Sequence, residues 1–155
     1  MRTAFVIAVV LATGCGATPV PPVPKIAPDS ARVVVVPPLA IEPKDGPSAG
    51  RRLAEALHRL IQDRVEALGH ARAQAPEQAE VRLECGAALE FHPAGDVKRV
   101  RLFVRVEERG LLLDDWVSEE HAFYFVPPRE RDLEAFADEI ALRLAHALEA
   151  RPRSR

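Results

Sequence analysis

The chain is poor in several of the residues on which common functions depend. It has two cysteines, one tryptophan, one tyrosine and no methionine after Met1. Two cysteines cannot supply a disulfide framework or a four-cysteine zinc site. The only serines are Ser30, Ser48, Ser118 and Ser154. None lies in a Gly-x-Ser-x-Gly elbow, where a strained strand-to-helix turn would present a nucleophile. The five histidines, His58, His70, His92, His121 and His146, are well separated and show no His-x-x-x-His spacing. No Gly-rich loop leads into Lys-Ser or Lys-Thr, so no phosphate cradle is encoded. The net charge of −2 offers neither a basic footprint for nucleic acid nor strong attraction to an acidic membrane surface. The paired acids Glu107-Glu108, Asp114-Asp115 and Glu119-Glu120 are adjacent in sequence, so in a strand the members of each pair point to opposite faces and form no acid/base couple. These features predict a protein that is not an enzyme, with no metal and no cofactor.

No apolar run reaches the ~18 residues that span a bilayer, but a short one opens the chain. Met1-Arg2-Thr3 carries a positive charge, Ala4 to Ala12 is unbroken apolar sequence, and Ala12-Thr13-Gly14 are small residues ending at Cys15. That order is the layout of an export signal, whose peptidase admits little side-chain bulk before the cut. Leu11-Ala12-Thr13-Gly14-Cys15 resembles the lipobox of bacterial lipoproteins, with Ala12 where the family usually has Leu. The resemblance implies removal of residues 1–14, a diacylglyceryl group on the Cys15 thiol, and further acylation (palmitate-type chains) of the new amine. Two or more acyl chains, at ~0.8 kcal/mol per buried methylene, make attachment effectively permanent. Gly16, rather than Asp, after the cysteine implies sorting to the outer membrane, facing the periplasm. Lipidation of Cys15 leaves Cys85 without an intramolecular partner. A Cys15–Cys85 bridge is the alternative if the cysteine is not acylated, and a small buried apolar role is the ordinary one for Cys85.

Residues 16–31 hold five of the fourteen prolines. Proline fixes φ and removes a donor, so residues 15–31 read as the lipidated cysteine and an extended tether of up to ~50 Å in polyproline geometry. The remaining 32–150 suffice for one domain with one core, followed by a basic tail, 151–155.

Within the domain, Val33 to Val36 is a β-branched run stopped by Pro37-Pro38 and reads as a buried strand. Residues 40–47, with two prolines and Gly46, read as loop. Ser48 is a candidate cap for a helix from about Ala49 to Leu68, whose stripe is Leu53, Leu57, Leu60, Ile61, Val65 and Leu68, closed by Gly69. Residues 70–79 are ambiguous between a short strand and loop. From Glu80 the period becomes two, through Phe91, and again from Arg99 to Glu107, predicting an antiparallel hairpin about Pro93–Asp96. A third strand is expected over 111–126, interrupted near Asp114-Asp115. A final helix runs from about Glu130 to Ala150, with acids in its first turn. The order β-α-β-β-β-α predicts an α+β two-layer sandwich: a mostly antiparallel sheet with both helices on one face.

This pattern, from the opening Val-rich strand to the closing helix of Leu133 to Leu148, is similar to the auxiliary lipoproteins of ABC-type lipid-transport systems. It also resembles the N-terminal domain of the Tol-system translocation protein and the curli-secretion and penicillin-binding-protein-activator lipoproteins. The resemblance implies a non-enzymatic accessory or adaptor subunit that is anchored to a membrane and binds another envelope protein. A periplasmic carrier or sensor for a lipid or small apolar ligand, held between sheet and helices, is the alternative. Trp116 and Tyr124 share parity on the expected third strand, and Phe103 stands on the polar face of its neighbour. Together they form a candidate partner-binding patch.

Overall fold

The computed structural model describes residues 31–150. The expected signal peptide, Cys15, the residues of the expected tether before Ala31 and the basic tail, 151–155, lie outside the described residues.

The chain is α+β, with seven strands in one mixed sheet and two long helices. The opening Val-rich run forms β1, Val33–Val35. After the Pro37-Pro38 break the chain returns to the same neighbour as β2, Ala40–Glu42. The loop expected over 40–47 therefore contains a strand. β-Branched Ile41 turns toward the core while Ala40 and Glu42 point outward, and pairing supplies what the local sequence does not.

Helix α1, Ser48–Ala67, begins one residue earlier than expected. Ser48 is not its cap: Pro47 holds that position, and the Ser48 hydroxyl accepts a hydrogen bond from Arg52 at 2.9 Å. The helix stops at Gly69, whose φ of 100° closes it as the sequence indicates. Strand β3 is only Ala71–Arg72, and a 3-10 turn follows at Pro76–Gln78.

The long hairpin consists of β4, Val81–Phe91, and β5, Val97–Glu108, in continuous antiparallel register apart from a shift at Glu90/Phe91. Arg109 and Gly110 both have positive φ, 49° and 80°. They form the two-residue turn whose twist suits a hairpin, and β6, Leu111–Val117, returns along β5. The expected third strand then breaks. Only β7, His121–Ala122, rejoins β5, and residues 123–126 leave the sheet. The irregularity anticipated at Asp114-Asp115 falls at Leu113, which has no partner between the Leu112 and Asp114 pairings. Helix α2 spans Glu130–Glu149.

The strands run in the order β3-β1-β4-β5-β6, with β2 also beside β4 and β7 beside β5. β1, β2 and β3 are parallel to their neighbours and the rest are antiparallel. The parallel pairing of β1 with β4 follows from α1, which carries the chain back along the sheet between them. Both helices cover one face. Leu57, Ile61 and Val65 from α1 and Ile140 and Leu144 from α2 meet Leu83 and Leu102 of the hairpin, all completely buried. Gly50 lets α1 approach β4: a Cβ there would meet the side chains of Leu89 and Phe91 at 3.0 Å. Arg64 and Asp138 join the two helices by an ion pair.

Candidate functional site

Strand parity separates the two faces of the hairpin. Val100, Leu102, Val104 and Val106 point under the helices, while Arg99, Arg101, Phe103 and Arg105 point to the uncovered side. On that open face, charged side chains form a ladder. Arg82 pairs with Glu84 at 2.6 Å and Arg105 with Asp115 at 3.1 Å. Glu90 bridges Lys98 and Arg99, and Glu120 bridges Arg99 at 3.4 Å and Arg101 at 3.6 Å. Most of these pairs are well exposed, where each contributes only tenths of a kcal/mol. The Lys98 ammonium beside Glu90 holds its carboxyl below the usual range, and Asp115 raises Arg105.

An open cleft of about 520 Å³ crosses the ladder. Pro37 and Pro38 stand at one end, Gly86 and Phe103 form the floor, and Glu84 and Asp115 contribute to a rim. Gly86 keeps the floor low: a Cβ there would lie 3.3 Å from the Ala40 carbonyl oxygen. The cleft thus lies on the uncovered face, on the opposite side of the sheet from the core side chains packed under the helices.

The three aromatics singled out from the sequence do not converge. Phe103 lies opposite Gly86 and Val117 on the open face and is 40% exposed. Trp116 lies opposite Val104, on the helix side, half-buried beneath the Arg143 guanidinium, which sits 4.5 Å from its ring centroid. Tyr124 is exposed beyond the end of β7. The shared parity assumed one continuous strand, and the break after Val117 removes it.

Ser118 makes that break. It is buried, its N–H donates to the Leu102 carbonyl at 2.9 Å, and its hydroxyl accepts the Leu102 N–H at 2.9 Å. The same hydroxyl donates to the Glu119 carbonyl. A side chain thereby replaces a ladder partner, and the chain turns away without leaving a buried donor unpaired.

Four of the five histidines act as fasteners between elements. His58 of α1 donates from Nε2 to the Val36 carbonyl at 3.0 Å, in the break between β1 and β2. His92 donates from Nε2 to the Phe123 carbonyl at 2.9 Å, and His121 packs edge-on to Phe136. His70 accepts the Arg32 backbone N–H on Nδ1 at 3.1 Å. Burial, followed by the Arg32 charge, lowers the His70 pKa. Beside it, Glu80 accepts the Val33 N–H, and that bond, with the Arg109 guanidinium, holds its carboxyl low. The start of β1 is thus clamped by His70 and Glu80 side chains. No local sequence signal marks this clamp, because its partners are 38 and 47 residues apart.

Cys85 is a free, buried thiol whose pKa is pushed up to about 12, first by burial and then by Glu84. It is poorly suited to nucleophilic work. Among the described residues no group of three His, Cys, Asp or Glu side chains is placed to hold a metal ion. No described helix is long and apolar enough to cross a membrane.

No protein-family model matches the chain, and no curated protein matches its sequence. Solved structures do resemble it. The PelC dodecamer of Paraburkholderia phytofirmans, as a single-substitution variant and without that substitution, is 16% and 14% identical, with TM-scores of 0.47 and 0.45. These matches cover 83% of this chain and 93% and 94% of that one. A Xanthomonas campestris protein described under the family label DUF330 is 11% identical over 85% of this chain and 86% of its own, at a TM-score of 0.42. A Helicobacter pylori homolog of a neuraminyllactose-binding hemagglutinin is 14% identical over 84% and 88%, at 0.40. The resemblance transfers no site residue and no activity to this chain.

Proposed function

We propose that this chain is a lipid-anchored, periplasm-facing accessory subunit of a bacterial envelope system, held at the outer membrane through acylated Cys15. The observation that carries the reading is the run Leu11-Ala12-Thr13-Gly14-Cys15 behind a charged start and a short apolar core. In this reading the protein is not an enzyme and requires neither cofactor nor nucleic acid. Its work is to present the uncovered sheet face to an envelope protein. Two features support that assignment. The charge ladder provides a polar surface crossed by the cleft, with Phe103 exposed within it, and β6 ends the sheet with an open edge that can accept an added strand.

Mass spectrometry of the protein from its native membrane fraction tests the anchor, with Cys15→Ala as control. A mature N-terminus at Cys15 carrying acyl mass, lost with membrane retention in the variant, is the expected result. A full-length unmodified chain in the soluble fraction overturns it.

The cleft over Gly86 favours one second reading, a carrier or sensor of a small apolar ligand. Gly86→Leu would fill the cleft from its floor. Loss of saturable binding of a fluorescent fatty acid in that variant supports the reading, and no saturable binding by the unsubstituted protein contradicts it.

A further inference from the structure

The segment between β7 and α2 exposes three consecutive apolar side chains: Tyr124 is 61% exposed, Phe125 98% and Val126 45%. A Phe projecting almost wholly into water forgoes the favourable transfer of its ring to an apolar surrounding. The loop that carries it is held on both sides. The Phe123 N–H donates to the Lys98 carbonyl at 2.7 Å, its carbonyl accepts from His92 at 2.9 Å, and its ring packs edge-on to Phe136. On the other side Pro127-Pro128 restrict the backbone before Arg129, whose N–H is capped by Asp132 at 2.7 Å. The exposure therefore belongs to a braced tip.

We infer that the tip Tyr124-Phe125-Val126 is an interfacial membrane contact, inserting its apolar side chains at the boundary between headgroups and acyl chains. Three contiguous side chains fall short of the ~800 Å² that each partner contributes to a standard protein interface, while a bilayer needs no complementary pocket. Phe and Tyr suit that boundary, Tyr keeping its hydroxyl among the headgroups. Exposed Arg129 and Arg131 follow the tip, among the acids Glu130, Asp132 and Glu134, so the apolar side chains rather than net charge carry the contact. The bracing at Phe123 lowers the ordering cost of insertion.

The tip lies at the pole opposite the chain's entry into the fold. Phe123 is bonded beside the β4–β5 turn, whereas Arg32 meets Glu108 at the far end of β5. The eleven residues of β4 separate the poles by roughly 35 Å at ~3.3 Å per residue. This contact is independent of the Cys15 anchor and, where both act, fixes how the sheet stands relative to the bilayer.

The test uses the mature chain with Cys15→Ala, so that no acyl chain contributes, and vesicles of phosphatidylethanolamine and phosphatidylglycerol. Phe125→Trp provides a reporter, with Trp116 emission subtracted using the parent protein. The expected result is a blue shift on vesicles and quenching by brominated acyl chains, with co-sedimentation weakened about tenfold or more by Phe125→Asp. Solvent-like emission without quenching overturns the inference, as does unchanged co-sedimentation of Phe125→Asp. Concentration-dependent self-association abolished by Phe125→Asp, without bromine quenching, also overturns it by making the occupant a second copy. An unchanged thermal transition in both variants shows that the fold is intact. Acylation of Cys15, read separately by mass, neither rescues nor sinks the result.

Discussion

Strand β5 offers two molecules in one. On its covered side Val100, Leu102, Val104 and Val106 are 0–1% exposed beneath the helices, and on its other side Arg99, Arg101, Phe103 and Arg105 meet water. Burial makes the first set expensive to alter and cheap to read from sequence. The second set is nearly free to vary as far as folding is concerned, because exposed ion pairs contribute little. Stability is concentrated on the helix side, which leaves the open face available for recognition.

The largest expected effect comes from deleting core volume. Leu102→Ala should destabilise the protein by about 2–5 kcal/mol, measured by urea unfolding, because Leu102 is fully buried against both layers. A smaller loss would mean that the core collapses into the gap. Ser118→Ala should cost about 1–3 kcal/mol in the same assay, since it leaves the Leu102 N–H buried without its hydroxyl acceptor. Ser118→Thr, which keeps the oxygen, should recover part of this loss.

The β1 clamp should confer a modest pH dependence. The folded-state pKa of His70 lies below the usual 6.5. The unfolded chain therefore takes up the proton first, and stability falls as pH drops from about 6.5 toward the folded value. Comparing urea midpoints at neutral pH and at mildly acid pH should show this decline, flattened in His70→Gln. An equal slope in the variant would place the effect elsewhere. Arg101→Ala, on the open face, should change stability by no more than about 0.5 kcal/mol. A loss comparable to that of Ser118→Ala would show that the ladder supports the fold after all.

What could be read from the sequence followed the same division. The long helices and the β4–β5 hairpin were legible because each carries many residues of one period, from Leu53 to Val65 at helical spacing and from Val81 to Leu89 at alternation. β2 and β3, of three and two residues, have no period to detect and exist because β4 and β1 offer them pairing. The continuous third strand was a misreading for the same reason. Its apolar tail, Phe123 to Val126, has strand-forming composition, and only the tertiary role of Ser118 shows that the chain has already left the ladder. The register of β6 sets Trp116 opposite Val104 on the helix side, and the break carries Tyr124 to a pole, so of the three aromatics only Phe103 stands on the open face.

The most direct test of the division between faces is photo-crosslinking in the membrane fraction. A benzophenone side chain would stand in turn at positions 101 and 103 on the open face and at exposed position 55 on the outer side of α1. The account predicts a discrete crosslinked partner from 101 and 103, reduced when Cys15→Ala releases the protein from the membrane, and none from 55. Crosslinks arising from position 55 alone would contradict it, and the helical layer would then be the working surface.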